Sequence, residues 1–457
     1  MVSLLSQAQE VTDMLIPVLH IQTVRNEMPP YTVISAPEGC IGTTIKDNKY
    51  VAGRMVMTLK ADTLYDSGEY EKSVSGMRIK VRGNSTGAFL AQRPYKIKLS
   101  KKYDLLGRTD QEFKHKEWVL LAMYTWNKKM TNHESNILNI VGLTISRLLE
   151  KEWTPEFDFV HVILNEEYQG MYYLMESVDK GEKRVNISPD GFLLEHDVFW
   201  WNEKVYFKTD QQSHDSGYTY KYPDPDNVND SIQSVISDYM NLVEHNILFS
   251  EDIDLLSFAK WLLIHDILGT DDAAGCNRYL CKYDMCASLL QMGPLWDFDS
   301  IFRSDGWSSL HHYESFFYPR LLQRTDFRDI YCKLWKQVRP HLFERIQNEL
   351  KQVWNQYGEV FDESMKLHQT KYPSEGHQSF ISQIEEVKEK LYRRIEIVDS
   401  LMLTDFNVNC INHPIYNSRS NTYLIDMQGR KHQQTPYQRL TKGIYIYHGE
   451  NKKIVIQ

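Results

Sequence analysis

The spacing of apolar and polar positions changes character near residue 210. Before that point the pattern mostly has period two, the spacing that places every second side chain on one face of a strand. Residues 17–24 (PVLHIQTV) alternate and are rich in branched side chains, and 53–60 (GRMVMTLK) continue in the same way. Residues 76–82 (GMRIKVR) and 94–100 (PYKIKLS) alternate most strongly. Between them, Gly83-Asn84-Ser85-Thr86-Gly87 reads as a turn-forming cluster. Residues 158–164 (DFVHVIL) and 171–176 (MYYLME) predict two more strands around a turn carrying Asn165, Glu166 and Gly170, and 192–195 and 204–208 add shorter ones. One helical pattern interrupts this half, from Met130 to Leu149, with Ile137, Leu138, Val141, Ile145 and Leu148 on one stripe.

After Tyr222-Pro223-Asp224-Pro225-Asp226 the apolar residues recur at helical spacing over 230–247, 253–268, 327–356 and 377–401. Strands followed by helices predict an α+β arrangement: a β-rich lobe over 16–210, an α-rich lobe over 211–405, and a ligand cleft at their seam. A third unit, over 415–457, carries short strands around Gly429, Gly443 and Gly449. Residues 1–15 stand apart as a tail. Its VSLLSQAQ has the apolar end and small-residue site of a signal peptide without the basic start; a frayed terminus is the other reading.

Composition narrows the functional classes. With 42% hydrophobic and 25% charged residues the chain has ordinary globular usage. Its formal charge of -9, with no long Lys/Arg block, argues against a nucleic-acid partner, which needs a concentrated basic face. No segment is long and apolar enough to span a membrane. Among the six cysteines, Cys276, Cys281 and Cys286 are evenly spaced, but the gaps are not those of a zinc knuckle and no His pair accompanies them. They read as small buried hydrophobes.

Candidate chemistry lies in the α-rich half, where ILGTDDAAGCNRYLCKYD is followed by GPLWDFDSIF. Asp272 and Asn277 stand as Asp-x-x-x-x-Asn, the spacing of a kinase catalytic loop, in which the Asp accepts a proton and the Asn ligates a metal. Downstream, Asp297-Phe298-Asp299 resembles the metal-binding Asp-Phe-Gly element. Between them, 279–282 and 288–291 predict a hairpin that presents both acids to one cleft. Each piece has a plain alternative: a turn and helix cap for the first, solvated acids beside a buried Trp296 for the second.

The stretches MRIKVRGNST, RPYKIKLS, VILNEEYQGMYYLMESVD, KRVNIS, FLLEHDV and GPLWDFDSIF, in this order over residues 76–303, resemble the successive motifs of the spore coat protein H (CotH) kinase family. The resemblance implies an atypical, protein-kinase-like two-lobed fold and a phosphotransferase using ATP and magnesium on a protein substrate. It implies Asp272 as catalytic base, Asn277 and Asp297 as magnesium ligands, and Asp299 as a helper in metal binding or positioning. Lys96 and Lys98 share a strand face, and Lys98, then Lys96, is the expected contact to the ATP phosphates; an exposed strand face is the alternative. Arg82 would clamp phosphate or pin the Gly83-Asn84 turn. Glu176, where a kinase reads adenine through its backbone, is otherwise a surface carboxylate, and Glu134 is a candidate ion-pair partner for the lysine. The chain departs from the pattern at Asn127, Thr131 and Thr270, and it has no Gly-x-Gly-x-x-Gly loop.

The tail, with Gly443-Ile444-Tyr445-Ile446 and a Lys-rich last strand, resembles C-terminal β modules on exported proteins of the Bacteroidetes, which implies a periplasmic or surface location. An ordinary capping hairpin is the alternative. Two further functions stay open: a non-catalytic kinase-shaped surface or coat scaffold, and a small-molecule phosphotransferase.

Overall fold

The computed structural model describes residues 15–123, 136–211, 215–270, 276–302, 317–373 and 378–406, together with four strands of the tail. In chain order the strands before the tail are β1 (Val18–Thr23), β2 (Thr32–Ser35), β3 (Thr43–Lys46), β4 (Val51–Leu59), β5 (Asp62–Asp66), β6 (Met77–Val81), β7 (Tyr95–Tyr103) and β8 (His115–Ala122). They continue with β9 (Phe157–Leu164), β10 (Glu167–Glu176), β11 (Phe192–Asp197), β12 (Tyr206–Phe207), β13 (Gly217–Tyr222), β14 (Arg278–Lys282) and β15 (Gln291–Met292).

The first sheet runs β1-β9-β10-β8-β7-β6-β4, and β4 pairs back onto β1, so seven strands close a barrel. β5 hangs from β4. This overturns the expected two-lobed, protein-kinase-like fold with a β-rich N-lobe: the architecture is a mixed α+β fold built on a closed barrel. The cause is β1, which has two neighbours. It pairs antiparallel with β4, from Val18↔Thr58 to Thr23↔Gly53, and parallel with β9, from Val18↔His161 to Ile21↔Leu164. Closure needs a close approach at Gly53, where an added Cβ would stand 2.5 Å from the Gln22 carbonyl oxygen. It also removes the unpaired edges that an open sheet exposes.

Alternation decides what fills the barrel. Leu19, Ile21, Met55, Ile79, Ile97, Trp118, Leu120, Val162 and Leu174 form one buried cluster inside it. The opposite parity on β8 and β10, Val119, Met171, Tyr173 and Met175, belongs to a second cluster shared with the helices and the second sheet. That sheet has the order β12-β13-β11-β14-β15. Helix Leu255–Leu268 runs through the second cluster, buried from Ser257 to Leu268. Asp254 caps its start, accepting from the N–H groups of Leu256 and Ser257, and Gly269 ends it in the left-handed conformation at φ 57°. Helices Thr325–Lys371 and Phe380–Phe406 pack on each other and on it. Four tail strands, β16 (Tyr423–Asp426), β17 (Lys431–Gln433), β18 (Gly443–Tyr447) and β19 (Lys452–Ile456), form an antiparallel sheet.

The 83–87 cluster, expected as a turn, opens a short helix at Ser85–Phe89. The helical pattern expected from Met130 is described over Leu138–Leu148. The proposed signal-peptide remnant and the residues Asn127, Thr131, Glu134 and Asp272 lie outside the described residues. No described helix is long and apolar enough to cross a membrane.

Candidate functional site

The outer face of β6, β7 and β8 is charged. Register places Arg78 beside Lys98, Lys80 beside Lys96, and Lys98 beside Glu117. Both lysines converge on one carboxylate: Lys98 Nζ lies 2.5 Å from Glu117 Oε1, and Lys96 pairs with Oε2. Burial pushes the Glu117 carboxyl up, but the two lysines more than offset it and hold the group at about 2. The side chain is thus an anion throughout the physiological range, and it fixes both ammonium groups on the barrel's outer face. Burial, and then repulsion from Lys96, lowers the pKa of neighbouring Lys80.

The β14–β15 hairpin supplies the second half of the site. Leu280 pairs with Met292, and Gly293 N–H donates to the Tyr279 carbonyl at 2.7 Å. This antiparallel register carries the segment leading to Asp297 back towards the end of β14 where Asn277 sits. Asn277 (φ 57°) and Asp297 (φ 64°) are both left-handed, a conformation that side chains other than Gly adopt only when their surroundings impose it. The surroundings here are specific. Phe298 is wholly buried, and its N–H donates to Asn139 Oδ1 at 3.0 Å on helix Leu138–Leu148. Gly142 on the same helix leaves room for the phenyl ring, since an added Cβ would stand 2.1 Å from Phe298 Cγ. On the other side, the Ser300 and Thr270 hydroxyls are 2.8 Å apart.

Arg82, at the end of β6, joins the two halves: its guanidinium lies over the Trp296 ring, 5.6 Å from the centroid. Beside it, on the second sheet, Lys221 pairs with Glu195 at 2.6 Å. Burial and the neighbouring Glu195 push Asp197 up to about 7. Asn277, Asp297 and Asp299 are half-buried. An amide oxygen and two carboxylates are hard donors of the type magnesium takes, so the residues fit that ion by chemistry. Among the described residues no three His, Cys, Asp or Glu side chains gather as a metal-binding group, and of the three cysteines expected as buried hydrophobes only Cys281 is buried, Cys276 being half-buried and Cys286 exposed.

Glu176 is neither a surface carboxylate nor free in its backbone N–H. It is 1% exposed, accepts from Arg108 Nη2 at 2.6 Å and from Glu156 N–H at 3.0 Å, and its own N–H donates to the Glu156 carbonyl at 3.1 Å. Two residues escaped sequence reasoning. Glu117 sits in a strand that does not alternate, because Glu117 to Leu120 are all buried; the signal was the opposite charge it sets across from Lys98. Asn139 looked like one polar position on an apolar helix.

A family model described as CotH kinase protein matches residues 79–398, more than half of the chain. The match takes in Arg82, both lysines, Glu117 and the whole β14–Asp299 segment. No curated protein matches the chain.

Proposed function

The chain belongs to the CotH kinase family, and from that premise we propose that it is an ATP- and magnesium-dependent kinase acting on an exported or surface protein, at Ser or Thr. One observation carries the reading. The left-handed Asn277 and Asp297 sit at one end of the β14–β15 hairpin, and Arg82 over Trp296 ties that end to the face bearing Lys96, Lys98 and Glu117. Phosphoryl transfer needs little more of a protein than positioning and charge neutralisation.

In this reading Lys98, with Lys96 behind it, meets the ATP phosphates, and Glu117 keeps both ammonium groups in place. Arg82 offers a bidentate clamp. Asn277 and Asp297 hold magnesium, assisted by Asp299; the ion supplies neutralisation of charge on the phosphate oxygens. Asp272 takes the proton of the acceptor hydroxyl as its oxygen bonds to the γ-phosphorus and the bond to the ADP oxygen breaks. The exported setting rests on the sequence of the two termini.

The test uses γ-labelled ATP, magnesium and the full chain, with casein as added acceptor. Label should enter the chain or casein, vanish with EDTA, and vanish in Asp297→Ala and Asp272→Ala. If no label transfers and magnesium-ATP leaves the melting temperature unmoved, the chain is a non-catalytic member of its family.

A further inference from the structure

Strand β8 separates the charged face from a second space. Glu117 points to the lysines, whereas Trp118 points into the barrel. At the end of the barrel marked by Trp118 and Glu176 lies a cavity of about 640 Å³, a size usual for small-molecule sites. Its wall reaches Gly293 and Pro294, just ahead of Asp297.

Five cations line this cavity, and four have a carboxylate partner: Arg108 with Glu176 (2.6 Å), Lys151 with Glu152 (2.9 Å), Lys183 with Glu112 (3.2 Å) and Arg147 with Glu156 (3.6 Å). Arg184 is the exception. It is 5% exposed, and its Nη1 donates to the Glu117 carbonyl (2.8 Å), the Ser177 carbonyl (3.3 Å) and Ser177 Oγ (2.8 Å), all uncharged acceptors. Nε and Nη2 have no hydrogen-bond partner among the described residues, and the guanidinium lies over the Trp118 ring at 5.0 Å. Burial lowers its pKa to about 10, against partial support from Glu176 and Asp179. A buried guanidinium with no carboxylate in hydrogen-bond contact is costly even with Glu176 and Asp179 nearby, and an anion bonded to its Nε and Nη2 offsets that cost. Phe113, Trp153, Tyr283 and Pro294 add flat apolar surface to the wall, between the polar Thr154, Glu182, Asn186 and Gln291.

We propose that this cavity is a ligand site of its own, separate from the lysine face, and that it takes a small aromatic carboxylate whose charge neutralises Arg184. The site touches the kinase machinery at two points. Arg184 holds the backbone of Glu117, and Lys151 Nζ donates to the Met292 carbonyl at 2.8 Å, at the start of the segment running to Asp297. Occupancy is therefore read as a change in affinity for magnesium-ATP, and the coupling is reciprocal.

The experiment soaks crystals of the full chain in 4-bromobenzoate, whose bromine gives an anomalous signal, and titrates 4-bromobenzoate, bromobenzene and inorganic phosphate by calorimetry. The expected result is bromine in the cavity and 4-bromobenzoate binding at least tenfold tighter than either control. Arg184→Met should lose about tenfold. Should that variant fail to fold, Lys183→Glu, on the exposed rim, should weaken binding about threefold by repulsion. Bromine found only elsewhere, equal binding of bromobenzene, or tighter binding of phosphate each overturns the carboxylate assignment. Displacement by magnesium-ATP with no second binding event shows the cavity to be the nucleotide's own and overturns the separate site. The kinase reading survives any of these outcomes, because it is tested by label transfer.

Discussion

Ile97 and Trp118 look into the barrel and are wholly buried, whereas Lys96, Lys98 and Glu117, one residue away on the same two strands, lie on its outer face. The two faces share a backbone and obey different rules. Inside, apolar side chains close a dry core in which every lost methylene leaves a hole. Outside, the buried Glu117 carboxylate is held anionic by two lysines that keep partial contact with water. The comparison teaches that stability and chemistry are separated here by the strand period rather than by distance. Substitutions one residue apart should therefore fail in different assays.

The largest expected effect is on the inner face. Trp118→Ala removes a fully buried indole beneath Arg184, and such truncations cost about 3–5 kcal/mol. Urea denaturation should show that loss as a lower midpoint with an unchanged slope. A loss below about 1 kcal/mol would mean the barrel interior is not the source of stability, and the contrast between faces would break.

Next comes the point where a helix reaches the site. Gly142→Ala puts a methyl group into the Phe298 ring, and overpacking of this kind costs about 1–3 kcal/mol. Because Phe298 lies between Asp297 and Asp299, magnesium-dependent ATP binding should fall by more than the stability change alone accounts for. Asn139→Ala, which frees the Phe298 N–H, should weaken ATP binding with less overpacking. If calorimetry finds both variants binding like wild type, helix Leu138–Leu148 is packing only.

Local pattern revealed much of this and hid a definite part. Strands with clean alternation, such as 94–100, and the helix from 230 were legible because one face of each meets one core. Barrel closure was not legible. It depends on β1 meeting β4 and β9, and the parallel β1–β9 pairing joins residues far apart in the chain. No local period encodes such a partner. β8 escaped because both its faces are buried in the middle, one in the barrel and one under the helices. In the site, residue types and spacing singled out Asn277 and Asp297, and their left-handed backbone is a property of the fold that no spacing displays. Glu117 was hidden with its strand, and the commitment of Glu176 to Arg108 became visible only in three dimensions.

The outer face makes a prediction that changes sign with its neighbours. Glu117 is held at about 2 in the fold against an ordinary value of 4.5. A depressed carboxyl contributes stability above its unfolded pKa and loses it as pH falls, here between about 4.5 and 2. Glu117→Gln should therefore cost about 1–3 kcal/mol at pH 7, allowing for lysines partly open to solvent, and almost nothing near pH 2. Asp197 runs the other way. Its folded value of about 7 lies above the ordinary 3.8, so its contribution is complete at low pH and lost as pH rises through 7. Asp197→Asn should gain on wild type between pH 6 and 8. Urea midpoints across pH for both variants decide the matter; parallel shifts would show that the two carboxyls share one environment.

The smallest effect on stability belongs to the residue with the largest expected effect on function. Lys98 is a third exposed, and its loss leaves Glu117 still paired with Lys96. Replacement by Met keeps the stem that lies along the strand and removes only the charge. The unfolding midpoint of Lys98→Met should stay within about 0.5–1 kcal/mol of wild type, as for other partly exposed ion pairs. Affinity for magnesium-ATP should nevertheless fall at least tenfold, as the proposed contact between this ammonium and the phosphates requires. Lys96→Met sharpens the test. It lies one strand repeat away on the same face, so a direct phosphate contact at Lys98 predicts a clearly smaller loss for Lys96→Met, whereas a diffuse field from the whole cationic face predicts equal losses that shrink together as salt is raised. Equal, salt-sensitive losses would leave the outer face as an electrostatic surface without a designated phosphate lysine.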